Sequence, residues 1–158
     1  MLSGGIKMEI FKNNKKDRDY TIIIGCGRLG TGLADSLSDR GGNVLVIDND
    51  KDAFRKLPPS YGGLTLIGDA TDIDVLHEAQ IKNANAVVCV TNNDNTNIMI
   101  AQIAKELFKI EHVIARLYDP ERECVYREFG IATICPAVLS ANEIRKLLGN
   151  AKKEDEVE

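Results

Sequence analysis

The chain has 158 residues, enough for one domain with an ordinary core, and its 44% apolar and 28% charged content is that of a folded globular protein. Its 20 basic and 24 acidic residues leave a net charge of −4, which argues against a broad basic field for nucleic acid. No apolar stretch approaches the roughly 18–20 residues that span a bilayer. The N-terminus shows no long apolar segment followed by a cleavage site, so export is not expected. The four cysteines, Cys26, Cys89, Cys124 and Cys135, share no Cys-x-x-Cys spacing. They read as reduced thiols of a cytosolic protein and not as a zinc site.

Residues 1–19 read as a loose polar arm with a short strand at 8–11. From Tyr20 onward the pattern is regular. Strand-like apolar runs fall at 20–24, 43–48, 64–67, 85–90, 111–116 and 131–134. Helical patterns lie between them at 28–40, 50–57, 72–80, 93–109 and 119–129, and a last helix is expected over 137–149. Such alternation with buried strands predicts a Rossmann-like, doubly wound parallel sheet of six strands in a three-layer α/β/α arrangement. Punctuation supports these limits. Gly41-Gly42 stops the first helix, Pro58-Pro59 the second, and Asp119-Pro120 opens the fifth. Thr71 is expected to cap the third helix. The domain proper is read as 20–149, followed by a charged tail, 150–158, expected to be disordered.

The first strand runs into Gly25-Cys26-Gly27-Arg28-Leu29-Gly30. A Gly-x-Gly-x-x-Gly alone is a weak signal, but between a strand and a helix it reads as a dinucleotide-binding turn. Gly25 permits the turn, Gly27 the approach of a phosphate, and Gly30 the close packing of helix on strand. The helix start then offers N–H groups and a favourable dipole to an anion. Asp48 ends the second strand, 18 positions beyond Gly30. A carboxylate there accepts from ribose hydroxyls and repels a 2′-phosphate, and Asn49 and Asp50 follow it in place of an arginine. NAD(H) or an adenine nucleotide is therefore favoured over NADP. Asp48 as a helix cap is the alternative. Arg28 at the mouth of the turn suits a β- or γ-phosphate or a neighbouring subunit's ligand, with a solvated arginine as the bland alternative.

The later strand ends belong to the same crevice. Gly68-Asp69-Ala70-Thr71 closes the third strand, with Asp69 placed to accept from an adenine amino group. Thr91 and Asn92 close the fourth, near the phosphates or a distal ribose, and Arg116 closes the fifth, where it would meet an anion. No histidine, lysine–tyrosine or other acid–base set falls at these strand ends. His77 and His112 read as structural or solvated, so the site is expected to bind and not to catalyse. A small NAD-dependent oxidoreductase, or a fragment of one, is the rival. A redox-sensing transcription factor would need a winged helix, and none is visible.

Taken together, Ile23-Ile24-Gly25-Cys26-Gly27-Arg28-Leu29-Gly30, Val46-Ile47-Asp48, Gly68-Asp69-Ala70-Thr71, Val90-Thr91-Asn92 with Asn97, Ile114-Ala115-Arg116 and Gly130-Ile131 before Cys135-Pro136 resemble the KTN or RCK N-terminal (TrkA-N) family. The resemblance runs over about 20–148. It implies a cytosolic subunit, held at the inner face of the membrane through its partner. Such a subunit binds NAD, NADH, ATP, ADP or AMP and gates a Trk/Ktr-type potassium transporter. It also implies homo-oligomers, dimers or larger rings. By position, residues 25–29 would hold phosphates, Asp48 the ribose, and Asp69 and Ala70 the adenine side. Thr91, Asn92 and Arg116 would line the remainder. Two departures stand out. The chain ends without the second, C-terminal lobe of full-length members, which suggests a single-lobe regulator or a shortened chain. Pro136-Ala137 stands where some relatives carry Pro-Glu, so their divalent-cation site is not expected. The apolar residues of the 93–109 helix, and Leu139, Ile144, Leu147 and Leu148 of the last, suit either the sheet or a second subunit.

Overall fold

The structure is a computed structural model, described here for residues 19–155, with side chains through 150. The expected strand at 8–11 lies outside the described residues. Six parallel strands form one sheet: β1 (Tyr20–Ile24), β2 (Asn43–Asp48), β3 (Leu64–Ile67), β4 (Ala86–Cys89), β5 (His112–Arg116) and β6 (Ala132–Ile134). Their order is β3-β2-β1-β4-β5-β6. All six fall where the apolar runs place them, within one residue at each end. The central strands β1, β2 and β4 hold no charged side chain before Asp48 at the carboxyl end of β2, which is why they read so clearly as buried.

Alternation along β1 sends Ile22 and Ile24 to one face and Ile23 to the other. The first face packs under α2 (Ile73–Glu78), α3 (Asp94–Gln102) and α4 (Glu123–Glu128) through Leu76, Ile100 and Tyr126. The second packs under α1 (Arg28–Asp39) and a 3-10 helix (Lys51–Lys56) through Ala34 and Ala53. Helices therefore change face where the chain leaves β3 to start again beside β1. That change opens a crevice between the carboxyl ends of β1 and β4.

Several helices differ in kind from their periodicity. The 50–57 segment is a 3-10 helix, short and stopped by Pro58. The segment expected at 72–80 ends as α2 at Glu78, and a left-handed Gln80 leads into a 3-10 turn, Ile81–Asn83. The long 93–109 pattern is α-helical to Gln102 and then a π turn, Ile103–Leu107. The expected Thr71 cap is Asp72 instead: its carboxylate accepts the Asp74 N–H, while the Thr71 hydroxyl is engaged with Asp69. The C-terminus of α1 follows its glycines. Gly41 adopts φ +83° and donates to Ser38 O, and Gly42 donates to Leu37 O, the paired bonds of a Schellman motif.

The last helix, α5 (Pro136–Asp155), corrects the expected tail. It runs without a break through 150–155, because Ala151, Lys152, Lys153 and Glu154 are strong helix formers and nothing there stops the turn. Its apolar residues do not reach the sheet: Leu139, Ile144, Leu147 and Leu148 are 56–62% exposed. On the α1 side of the sheet no described helix covers β6, and Ile134 remains 38% exposed. No described helix is long and apolar enough to cross a membrane.

Candidate functional site

The carboxyl ends of the strands enclose a cleft of about 580 Å³. Its floor is the glycine turn. Gly25 holds φ +109°, and a Cβ there would lie 2.9 Å from the Val90 carbonyl and the Thr91 nitrogen, so the turn packs directly on the end of β4. Gly30 lies beneath: a Cβ would fall 1.9 Å from Gly25 O, inside the helix–strand contact. At Gly27, by contrast, a Cβ would meet nothing within 4 Å. Gly27 is the helix N-cap and supplies no side-chain bond, so the first N–H groups of α1 keep their donor capacity toward the cleft. The three glycines thus do three different jobs.

Gly25, Cys26, Gly27 and Arg28 line the cleft, as do Asp48, Asn49, Asp69, Ala70, Thr91, Asn92 and Arg116. Two expected members do not. Leu29 points to solvent at 39% exposure, and Gly30 is buried under the turn. Neither described histidine lines the cleft: His77 packs edge-on against Phe108, and His112 begins β5 at the opposite end of the sheet.

Asp48 is tied into the backbone. Its Oδ2 accepts the Cys26 N–H at 2.7 Å and its Oδ1 the Asp50 N–H at 2.9 Å. Each oxygen retains acceptor capacity for a ligand hydroxyl. The cap of the following 3-10 helix is Asp50, not Asp48. Burial first, and the Asp48 carboxylate second, push the Cys26 thiol up, while Lys56 opposes them. Its Sγ–H donates to Ala53 O at 3.4 Å. Cys26 therefore behaves as a small packed group in the turn. Asp69 Oδ1 accepts the Thr71 hydroxyl at 2.7 Å and the Thr71 N–H at 2.9 Å, which hold its carboxyl below the ordinary 3.8. The other carboxylate oxygen has no such partner in this turn.

Arg116 does something the strand-end pattern does not reveal. Its Nη2 donates to Val90 O at 2.9 Å and Thr91 O at 2.8 Å, so the guanidinium clamps the end of β4. Its Nε is buried without a hydrogen-bond partner among the described residues. The expected free anion contact is thus partly replaced by a structural one. Asn97, fully buried, completes the clamp. Its Oδ1 accepts from the Thr91 N–H at 2.9 Å and the Thr91 hydroxyl at 2.6 Å, and its Nδ2 donates to Thr91 O and Arg116 O. Asp94 accepts the N–H groups of Tyr118 and Asp119, fixing the loop after β5.

Lys56, Thr96 and Tyr118 also line the cleft and escaped the sequence reading. Lys56 sits at the far end of a short helix with no motif of its own. Tyr118 lies two residues past the strand-end arginine, where its position was the available signal. The cleft mixes three carboxylates, Asp48, Asp50 and Asp69, with the cations Arg28, Lys56 and Arg116. Such an arrangement suits a ligand that carries hydroxyls at one end and negative charge beside the turn.

Comparison with known proteins agrees with this fold. The Trk system potassium uptake protein TrkA of Streptomyces coelicolor is 43% identical over 130 residues, 82% of this chain and 58% of that protein. The chain thus spans less than two-thirds of the length of that relative. Among solved structures, the GsuK RCK domain matches with a TM-score of 0.72 at 25% identity, over 92% of this chain and 31% of that one. The Shewanella denitrificans Kef CTD, in an AMP-bound form, matches with a TM-score of 0.70 at 25% identity, over 87% and 86%. Residues 21–136, from the first strand to the start of the last helix, match the TrkA-N domain, and the chain belongs to that family.

Proposed function

We propose that the cleft binds an adenine nucleotide or NAD(H), and that this binding lets the chain act as a cytosolic regulatory subunit of a membrane potassium transporter of Trk/Ktr type. The observation that carries the reading is the open Gly27 at an uncapped helix start, with the Asp48 carboxylate bonded to the N–H of the adjoining Cys26 in the same cleft. Phosphates would lie on the turn, residues 25–28, and a ribose would donate to Asp48. An adenine amino group would meet Asp69 beside Ala70, and Thr91, Asn92 and Asn49 would line the remainder. Arg116 would act mainly through the shape of β4. The AMP-bound relative and the potassium-uptake relatives support this reading.

Regulation needs two conformations that differ in affinity for the ligand, and moving a two-state system from 1:99 to 99:1 takes about 5.5 kcal/mol of differential binding. Arg28, which lines the cleft beside the turn, would read the number of phosphates, and Arg28→Ala is expected to remove the discrimination between ATP and AMP. The exposed leucines of α5 and the uncovered face of β6 support self-association into a dimer or a larger ring. Light scattering showing only monomer at high concentration counts against that part.

The central test is calorimetric titration with AMP, ADP, ATP, NAD and NADH. Binding of at least one, lost in Gly27→Val, is the expected result. No binding to any of the five overturns the reading. The gating part is tested by potassium uptake in transport-deficient cells that carry a Trk/Ktr membrane subunit with and without this chain.

A further inference from the structure

We propose that Tyr118 is the stacking platform for the second base of a dinucleotide, so that the cleft takes a two-base ligand in preference to a mononucleotide. The inference rests on the nucleotide reading of the cleft and names the ligand class within it. On the β2–β3 side the cleft presents Asp48, Asp69 and Ala70, and the glycine turn lies at its centre. One base, one ribose and the first phosphates use that half. The other half, bounded by the ends of β4 and β5, contains Thr91, Asn92, Arg116 and Tyr118, and a mononucleotide leaves it unfilled.

Tyr118 is the single aromatic side chain lining the cleft among the described residues, and it is 54% exposed. An exposed tyrosine is unremarkable by itself. This one is held in place from two directions. Asp94 accepts its N–H at 2.9 and 3.1 Å and that of Asp119 at 3.1 Å, which fixes the backbone. The Arg116 guanidinium lies 5.0 Å from the ring centroid and is itself anchored on the Val90 and Thr91 carbonyls just past β4. The ring therefore carries a cation–π contact to an immobile group, while much of it stays accessible. A rigid, solvent-facing aromatic in a polar cleft loses little entropy when a base stacks on it. Stacking is also tolerant of base identity, because every base has a π face. A nicotinamide or a second adenine meets the requirement, whereas a bare triphosphate does not.

The test compares the 158-residue wild-type chain with Tyr118→Ala and Tyr118→Phe by calorimetric titration with NADH and with AMP. Wild type is expected to bind NADH more tightly than AMP. Tyr118→Ala is expected to weaken NADH binding roughly 5- to 150-fold, with AMP affinity changed less than about twofold. Tyr118→Phe, which keeps the ring, restores NADH affinity. Thermal unfolding of each variant confirms that the fold is kept. Equal losses for both ligands, or no loss for either, overturn the stacking role and leave the nucleotide site standing. A wild-type chain that binds neither ligand brings down the nucleotide reading, and the platform with it.

Discussion

Replacing Asn97 with alanine removes four hydrogen bonds from one fully buried side chain, two to the N–H and hydroxyl of Thr91 and two from its amide to the carbonyls of Thr91 and Arg116. At about 0.5–1.5 kcal/mol net for each bond, the loss is about 2–6 kcal/mol, a large part of the roughly 5–15 kcal/mol that stabilises an ordinary domain. The carbonyls and the N–H are left in a partly buried place, which pushes the loss toward the upper end. Asn97→Asp separates the two halves of the effect. It keeps an acceptor for Thr91 but sets a carboxylate against two carbonyl oxygens, so near neutral pH it is expected to be at least as damaging. Urea unfolding followed by circular dichroism measures both. The expected midpoint falls with little change in slope, because the surface exposed on unfolding hardly changes. A loss below about 1 kcal/mol for Asn97→Ala shows that water replaces the side chain and that the ends of β4 and β5 are held by other means.

Other consequences follow from the same geometry. Gly30→Ala forces a Cβ to within 1.9 Å of Gly25 O, and the helix–strand contact has to open. Thermal unfolding is expected to show a loss of about 3 kcal/mol or more, and a change under 1 kcal/mol refutes the packing argument. The Asp69 carboxyl is held low by Thr71, so its contribution to stability is present above the ordinary 3.8 and disappears as pH falls through the lower folded value. An NMR titration is expected to show Thr71→Val raising the Asp69 value, and an unchanged titration argues against that cause. Among the four thiols, exposed Cys124 is expected to react first with a thiol reagent, while buried Cys26 and Cys89, both pushed up by burial, stay silent in the native state. Labelling read by mass spectrometry checks the order, and Cys26 reacting alongside Cys124 contradicts a packed turn.

The sheet was legible because burial on both faces leaves its central strands few polar positions. Runs such as Val44-Leu45-Val46-Ile47 can then be read without any relative for comparison. Most of the cleft was legible for a related reason: in a doubly wound sheet, every strand end faces the same crevice, so position alone gathers Asp48, Asp69 and Thr91. What escaped depends on side-chain direction. Arg116 stands at a strand end as expected, yet turns onto the Val90 and Thr91 carbonyls just past β4, a choice set by acceptors 25 and 26 residues away. Lys56 enters the cleft from the last position of a 3-10 helix, where no motif marks it. The extent of α5 was missed for the opposite reason. A charged tail reads as solvated whether or not it is helical, and helix propensity decides between the two only weakly.

The two backbone bonds of Asp48 make this acid a mechanical part of the turn as well as the proposed ribose acceptor. The same carboxylate that would receive a ribose hydroxyl already draws in the N–H of Cys26, inside the glycine turn. A hydroxyl donated to Asp48 spreads its negative charge over one more partner and slackens its hold on the turn, and a phosphate on the turn alters how firmly Asp48 is held. On the proposed reading, the two halves of a nucleotide would be sensed by one hinge pin. Ligands with the same phosphates but different sugars would then leave the start of α1 in measurably different positions.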